Sequence, residues 1–406
     1  MSPIVFESLR VNPSPISTSI RFWLLLTLVT AAVVTGAWFA LRRPSANETA
    51  RKVKPIPQPV TDGQGFVGSE ACVRCHDAEA AKFAGSGHAH TFHEAKSFDL
   101  SRSLAGKTFR DEERQAEFRY ELDNDGLTVA LPEKFNDERF PLTYAFGSGR
   151  HAVTFLTLIP NRAGETVGIE HRVSLFREGT QLGLTPSHRG LVATQSVEHF
   201  GKVVKGDKLK SCVGCHTTVA EFHDHTPIHL LPHVGCESCH GPGAKHIAAA
   251  ENLQSDLAIG FSPSHHGAFE QIRMCGRCHR LPEMLSAPPS KKDAKLARFQ
   301  PVGLLQSRCF QQSNDTLSCT TCHDPHQTVS HNTADHIRHC LNCHSPQSKT
   351  QKSCKVSPTE RCVECHMPAV DVHPNVSFHD HWIRVRDAND STSVSNTGRS
   401  DDHSEP

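Results

Sequence analysis

Six copies of the pattern Cys-x-x-Cys-His lie in one stretch: CVGCH at 212–216, CESCH at 236–240, CGRCH at 275–279, CTTCH at 319–323, CLNCH at 340–344 and CVECH at 362–366. A seventh copy, CVRCH at 72–76, lies upstream. With two cysteines each, the seven copies use all but two of the chain's 16 cysteines. This repeated pattern therefore governs the interpretation of the whole chain.

The pattern is the attachment signature of c-type haem, in which two thiols bond the haem and the next histidine ligates the iron. A zinc site and a disulfide scaffold are the alternatives, and the regular grouping of seven copies favours haem over both. The sequence predicts seven covalently bound haem c groups. Their attachment residues are Cys72, Cys75, Cys212, Cys215, Cys236, Cys239, Cys275, Cys278, Cys319, Cys322, Cys340, Cys343, Cys362 and Cys365. Their proximal ligands are His76, His216, His240, His279, His323, His344 and His366.

The ligand on the other side of each iron decides its chemistry. A second histidine gives a six-coordinate, low-potential haem suited to electron transfer, whereas methionine raises the potential. Of the four methionines, Met284 alone is neither the first residue nor beside a motif, so mostly bis-histidine haems are predicted. The strongest candidates for distal ligands are His88, His246, His326 and His381. A second set comprises His93, His199, His225, His229, His233, His265, His266, His336, His339 and His379.

Two cysteines, Cys309 and Cys354, lie outside the motifs. They can pair as a disulfide, because thiol oxidants act in the compartment where c-type haem is attached. They can equally be two buried free thiols. The sequence does not decide between these alternatives, since it does not give the distance between the two residues.

The N-terminal part predicts a membrane anchor. Residues 1–21 form a polar head, and residues 22–41 (FWLLLTLVTAAVVTGAWFAL) are long and apolar enough to cross a bilayer as one helix. An uncleaved anchor is favoured over a signal peptide, whose apolar core is usually shorter, although Thr35-Gly36-Ala37 resembles a cleavage site. Residues 42–66 are rich in proline and polar residues and predict a linker.

The orientation of this anchor is predicted from haem chemistry. Five basic residues follow the apolar segment, and the positive-inside rule would place that side in the cytoplasm. Bacterial c-type haem is attached outside the cytoplasmic membrane, which requires the opposite orientation. We give more weight to the seven haem-attachment motifs than to the charge rule, and therefore predict that the C-terminal side of the anchor lies outside the cytoplasm. The predicted location is the bacterial inner membrane, with a single pass, residues 1–21 in the cytoplasm and the haem domain in the periplasm.

The rest of the chain divides into four parts by its motifs and residue composition. Residues 67–105 form a first haem unit, 106–189 a β-rich insert, 190–386 a six-haem cluster and 387–406 a polar tail predicted to be disordered. Within the insert, FRYEL at 118–122, LTVAL at 127–131, AVTFLTLI at 152–159 and TVGIEHRVSLF at 166–176 predict antiparallel strands. The predicted fold is a mainly α and irregular multihaem cytochrome c fold, with a small antiparallel β insert and one N-terminal transmembrane helix.

The motifs together resemble the cytochrome c-554 and c-prime type of multihaem cytochrome. The resemblance rests on FVGSEACVRCHDAEAAKFAGSGHA at 66–89, GDKLKSCVGCHTT at 206–218, GCESCHGPGAKH at 235–246, MCGRCHR at 274–280, LSCTTCHDPH at 317–326, CVECHMP at 362–368 and FHDHWIRV at 378–385. This group is related in haem arrangement to pentahaem nitrite reductases and octahaem hydroxylamine oxidoreductases. The resemblance implies closely stacked haem pairs and supports His88, His246, His326 and His381 as distal ligands.

Two functions remain after these observations. The first is an electron carrier between a membrane donor, such as a quinol-linked protein, and a periplasmic acceptor; the balanced 43 basic and 43 acidic residues favour no nucleic-acid partner. The alternative is an oxidoreductase acting on a small nitrogen or sulfur compound at one open haem. The related nitrite reductases use a Cys-x-x-Cys-Lys motif that this sequence lacks, which favours the carrier. Arg150 and His151 are candidates to line an open site, and a solvent-facing turn is the simpler interpretation.

Overall fold

A computed structural model of the chain describes residues 65–131, 139–223, 225–254, 260–262, 266–348 and 353–386. These residues form a mixed helical and β structure. The α-helices are α1 (Ser69–Val73), α2 (Asp77–Ala84), α3 (Asp99–Arg102), α4 (Gly206–Cys215), α5 (Cys236–His240), α6 (Ala244–Glu251), α7 (Ala268–His279), α8 (Gln300–Gln306), α9 (Arg308–Gln311), α10 (Thr333–His344) and α11 (Cys362–His366). Short 3₁₀ turns occur at His88–His90, Ser196–His199, Pro282–Met284, Ala294–Arg298 and Cys319–Thr321.

The strands lie mostly between the first and second motifs. They are β1 (Phe92–Glu94), β2 (Thr108–Asp111), β3 (Ala116–Leu122), β4 (Leu127–Ala130), β5 (Arg139–Pro141), β6 (Tyr144–Phe146), β7 (Ala152–Pro160), β8 (Thr166–His171), β9 (Val173–Phe176), β10 (Gln181–Leu184), β11 (Gly201–Val204), β12 (Thr217–His223), β13 (Thr226–Pro232), β14 (Ala369–His373) and β15 (Val376–His379). All their pairings are antiparallel.

Two sheets and two separate hairpins organise these strands. The larger sheet has the order β1-β6-β7-β8-β11, with β9 pairing to β7 and β10 to β9. The second sheet has the order β2-β3-β4-β5, and β12–β13 and β14–β15 form the hairpins. The four predicted strand runs are confirmed: they fall in β3, β4, β7 and the pair β8–β9. Leu122 pairs with Leu127 across the predicted turn.

The predicted extent of the β structure is wrong. The predicted fold is mainly α and irregular with a small β insert at 106–189, yet β1 and β11 lie outside that range and pair with β6 and β8 of the same sheet. The hairpins β12–β13 and β14–β15 also lie outside it, within the predicted haem cluster. Strands of three or four residues are too short to show a clear alternation of apolar and polar residues. They form because a longer neighbouring strand offers hydrogen-bond partners, a tertiary effect that local sequence does not encode.

An apolar core connects the two sheets. Phe118, Phe140, Phe155, Ile169 and Phe200 are each no more than 1% exposed and pack in one cluster. Phe140 and Phe200 stack with ring centroids 4.9 Å apart. Burial of these large side chains is the main favourable contribution to the stability of this part of the chain.

Several polar groups inside this core form hydrogen bonds and an ion pair with one another. The ring of His171 contacts the Tyr120 hydroxyl at 3.0 Å through Nε2 and donates from Nδ1 to the Phe200 carbonyl at 2.8 Å. Burial lowers the pKa of His171 to about 3, so the ring is neutral at neutral pH. Arg172, fully buried beside it, bonds to Asp111 and Glu113 and to the carbonyl of His188.

The membrane anchor predicted at 22–41 lies outside the described residues, as do the head at 1–21, nearly all of the linker at 42–66 and the tail at 387–406. In the ranges given above, no helix is long and apolar enough to span a bilayer.

Candidate haem-ligand sites

Helical backbone arranges most of the motifs for attachment. Five of the seven motifs lie wholly within a helix or at its C-terminal end: those in α4, α5, α7, α10 and α11. Residues three and four positions apart share one face of a helix. Both cysteines and the following histidine of each motif are therefore directed to the same side, where one planar group can contact all three.

Four motif histidines face a histidine from a distant part of the chain. His76 faces His246, His88 faces His279, His240 faces His326, and His323 faces His381. The ring centroids are 6.2 Å apart in every pair. The four non-motif members are the strongest distal candidates from sequence, and the structure brings each of them to a different motif.

This spacing fits an iron held between two imidazoles. A metal–imidazole bond is about 2 Å long and the ring nitrogen lies about 1 Å from the ring centre, so two rings on opposite sides of one metal have centroids about 6 Å apart. Direct stacking of two imidazoles would bring their centroids closer than this. The residues present therefore fit the haem that the motifs predict.

Hydrogen bonds fix which ring nitrogen is available to a metal. Nδ1 lies 3.0 Å from the Thr91 carbonyl in His216, 2.9 Å from the Phe261 carbonyl in His240 and 3.0 Å from the Arg384 carbonyl in His366. The distal candidate His381 likewise contacts the His379 carbonyl at 2.9 Å. A carbonyl only accepts, so Nδ1 carries the proton and Nε2 keeps its lone pair. This second contact orients the ring for ligation through Nε2.

Of the three remaining motif histidines, His216 and His366 show no ring pairing with another histidine among the described residues. The ring of His216 instead packs edge-on against Phe146, with centroids 5.0 Å apart. His366 makes its described contact only with the Arg384 carbonyl. Burial lowers the pKa of His216, so its ring is neutral. The site at Cys212–His216 thus differs from the four paired sites in what surrounds its histidine.

Some histidines of the second set are engaged elsewhere. Nε2 of His93 donates to the His90 carbonyl at 2.9 Å, and Nε2 of His336 donates to the Ser330 carbonyl at 2.9 Å. The nitrogen that these rings would use for ligation in the pattern above is therefore occupied. Arg150, a candidate for an open site, instead bonds to Thr328 and Gly85, and His151 packs on Phe378.

Cysteines of different motifs approach one another. The thiol of Cys72 adjoins that of Cys236, Cys215 adjoins Cys278, and Cys275 adjoins Cys319. Cys239 also interacts with Cys275, and Cys340 with both Cys322 and Cys362. Through these interactions each motif adjoins at least one other motif in space. Cys309 and Cys354 are both free thiols, with Cys309 near Cys343 and Cys354 near Cys362.

A buried carboxylate joins the first motif region to the third. Glu237, inside CESCH and 4% exposed, accepts hydrogen bonds from the backbone N–H groups of Val67, Gly68 and Gly243 at 2.7–3.2 Å. The Ser69 hydroxyl accepts a further bond from the Cys236 N–H at 3.1 Å. These contacts attach the segment before the first motif to the helix that carries the third.

Replacing Glu237 with alanine is expected to detach this segment. Three backbone N–H groups, of which that of Gly243 is buried and those of Val67 and Gly68 are partly buried, lose a charged acceptor, so the free energy of unfolding should fall by about 2 kcal/mol or more. Limited proteolysis should cut near Val67 faster than in the wild type, and urea unfolding should give the energy. Glu364→Ala, which removes a half-exposed glutamate from CVECH, is the matched control. Equal proteolysis of both variants would contradict the assignment.

A basic cluster lies beside the second motif. The guanidinium groups of Arg280 and Arg298 lie 5.1 and 5.3 Å from the ring centroid of Phe299, and Lys202 contacts Lys208. Desolvation and then the neighbouring Arg280 lower the pKa of Arg298. Lys208 and Arg280 both act electrostatically on the Cys212 thiol. Glu170 is the carboxylate that interacts with Lys202 and Arg298, and it also pairs with His188 at 3.0 Å.

Several of these residues were not singled out from sequence. Glu237 gave no signal, because the two variable positions of the motif tolerate many residue types. The basic cluster is assembled from β11, α4, the end of α7 and a 3₁₀ turn, so no charge run reveals it. Asp324 did carry a signal: it begins the Asp-Pro-His turn that presents His326.

Comparisons with known proteins agree with the motif interpretation. The family model described as cytochrome c554 and c-prime matches residues 188–241. The dissimilatory sulfite reductase MccA of Wolinella succinogenes is 25% identical over 188 residues, covering 36% of this chain and 23% of that protein. The chain thus spans about a quarter of the length of this curated relative. The outer cell wall cytochrome OcwA matches with a TM-score of 0.47 and 15% identity, covering 81% of this chain and 82% of that one.

Proposed function

We propose that this protein, a multihaem c-type cytochrome, carries electrons between redox partners through a series of mostly bis-histidine sites. Each bound haem supplies one-electron Fe(III)/Fe(II) chemistry. The observation that carries the proposal is the set of four facing histidine pairs at 6.2 Å. With two histidines as its ligands, the iron of such a site would exchange electrons without binding a substrate.

The proposal includes seven haem groups, one at each motif. The fourteen motif cysteines would form thioether bonds, and His76, His216, His240, His279, His323, His344 and His366 would be proximal ligands. His246, His88, His326 and His381 would be distal ligands at the first, fourth, third and fifth motifs, as the facing rings indicate.

The contacts between motif cysteines support an order for the path. The first motif adjoins the third, the third interacts electrostatically with the fourth, and the fourth adjoins the fifth, which favours a continuous series. The series continues to the sixth and seventh motifs through Cys340. The second motif adjoins the fourth through Cys215 and Cys278, which makes it a branch. A linear carrier with one side branch is the arrangement these contacts favour.

The predicted anchor at 22–41 would place this path at the periplasmic face of the bacterial inner membrane. One partner would then be a membrane redox protein, such as a quinol-linked donor, and the other a periplasmic acceptor. The direction of electron flow would follow from the potentials of these partners.

A second function is favoured by the branch site alone. His216 packs on Phe146 instead of a histidine, and the basic cluster lies beside Cys212. An open iron next to cationic side chains would bind a small sulfur or nitrogen oxyanion, through electrostatic attraction that salt weakens. The relative MccA is named as a sulfite reductase, which makes sulfite the first anion to try.

One experiment distinguishes these functions. Intact mass of the full-length holoprotein should show seven haems, and electron paramagnetic resonance of the oxidised protein should show low-spin signals. If sulfite, nitrite and cyanide leave every signal unchanged, the protein is a carrier alone. A high-spin signal that sulfite or nitrite shifts, and that Arg280→Gln weakens while Lys295→Gln does not, establishes the branch site as catalytic or binding. Fewer than seven haems would contradict the count.

A further inference from the structure

The turn at residues 324–327 takes part in two of the candidate haem-ligand sites. Its His326 ring lies parallel to the motif ring of His240, with an angle of 6° between the planes. The carbonyl of its Pro325 accepts a hydrogen bond from His88, whose ring faces the motif histidine His279. One short turn therefore positions a distal ligand candidate at the third motif and another at the fourth.

Asp324 places a carboxylate against the His326 ring. Its Oδ1 atom lies 3.3 Å from Nδ1 of His326 and accepts the His326 backbone N–H at 3.0 Å. Its Oδ2 atom accepts from the Gln327 side chain at 3.0 Å, which holds the carboxylate in place. The side chains of Asp324 and His326 are each about 40% exposed, so their contact is partly solvated.

This partner differs in charge from those of the other ligand histidines described above. Nδ1 of His216, His240, His366 and His381 faces a neutral main-chain carbonyl. A carboxylate attracts the Nδ1 proton more strongly than a carbonyl does, which gives the ring more imidazolate character and makes Nε2 a stronger donor. A stronger donor stabilises Fe(III) over Fe(II) and lowers the reduction potential.

We propose that Asp324 is a positioning residue that lowers the reduction potential of the His240–His326 site. The inference rests on the proposed bis-histidine function, since it requires His326 to ligate iron through Nε2. The negative charge of Asp324 and its contact with Nδ1 act in the same direction: both favour the oxidised iron. The site at the third motif, which lies between the first and the fourth in the series, is thereby held at lower potential than a carbonyl partner would give.

Asp324→Asn in the full-length holoprotein tests this assignment. Asparagine keeps the size and an oxygen acceptor but removes the charge, so haem content and low-spin signals should be unchanged. In a spectroelectrochemical titration one centre should shift to more positive potential, with its ratio of reduced to oxidised form at fixed potential rising roughly tenfold. Asp324→Glu, which restores the charge, should recover part of the shift.

The centre that shifts is identified with His326→Ala, which removes the same centre from the low-spin set. Glu283→Gln is the control, because it removes a half-exposed carboxylate close to the fourth motif that pairs with Arg273 and not with a histidine among the described contacts. If Asp324→Asn shifts no centre, or Glu283→Gln shifts the same one equally, the role of Asp324 is overturned. If the wild type shows no low-spin bis-histidine signals, the proposed function itself fails, which is a distinct outcome.

Discussion

Replacing His246 with alanine should convert one low-spin haem to a high-spin, five-coordinate form. The ring of His246 faces that of His76 at 6.2 Å and supplies the sixth ligand in the proposed first site. His246 lies in α6, directly after the turn at Gly241, Pro242 and Gly243. Gly241 has a φ of 79°, a conformation that favours glycine. The variant removes the ring that faces His76, so the sixth ligand of that site should be lost.

The measurement is electron paramagnetic resonance and absorption of the oxidised holoprotein. The variant should lose one low-spin centre and gain one high-spin signal, and added imidazole should restore the low-spin form. The same change made separately at His88, His326 and His381 should affect one different centre each. Imidazole rescue separates ligand loss from misfolding, because free imidazole repairs only the missing bond.

His336→Ala is the matched control for these variants. Its ring lies 5.6 Å from the motif ring of His323, close to an iron site, but its Nε2 donates to the Ser330 carbonyl. It should therefore leave all low-spin signals intact. A high-spin signal in His336→Ala, together with none in His381→Ala, would show that the facing pair at the fifth motif is assigned to the wrong histidine.

Replacing Arg172 with alanine should lower the free energy of unfolding of the β sheets by about 3–5 kcal/mol. Arg172 and Asp111 are both fully buried and paired, and Arg172 also donates to Glu113 at 3.0 Å and to the His188 carbonyl at 2.6 Å. Removal of the guanidinium leaves the Asp111 charge buried without its partner. Leaving one charge uncompensated in a buried site costs far more than the pair contributes to stability.

Urea unfolding of the holoprotein, followed by far-ultraviolet circular dichroism, measures this loss. Arg110→Ala is the control, since Arg110 is half exposed and its pair with Glu112 contributes less than about 1 kcal/mol. The double variant Arg172→Ala with Asp111→Ala should recover part of the stability, because it removes both charges. A double variant that is less stable by the full sum would show that packing, and not the unpaired charge, causes the loss.

Local patterns predicted much of the fold. The runs at 118–122, 127–131, 152–159 and 166–176 alternate or carry β-branched and aromatic residues, and each forms a strand. The motif at 236–240 forms a helix of its own, α5. By contrast, the sequence does not predict β1 and β11, because three or four residues are too few to show an alternation of apolar and polar side chains.

The residues of the candidate sites also fall into those that the sequence indicates and those that only the structure identifies. Pro-Gly and Asp-Pro turns near His246 and His326 marked these residues in the sequence, since such turns redirect the chain away from its own motif. Asp324 begins the Asp-Pro turn that marks His326, whereas Glu237 acts through contacts with a backbone segment that its neighbours in sequence do not reveal. The buried acceptor role of Glu237 depends on Val67, far away in the chain.

The sequence by itself determined the chemistry of this protein: two thiols and a histidine at each of seven motifs, because attachment requires these groups at fixed spacing within one helical turn. Only the tertiary structure decided which histidine faces which motif. His246 meets His76, and His88 meets His279, because chain segments distant in sequence pack together when apolar surface is buried and backbone groups find partners. The spacing within a motif determines which residues can hold the same haem. Which distant histidine lies opposite that motif depends on how the intervening helices and strands pack.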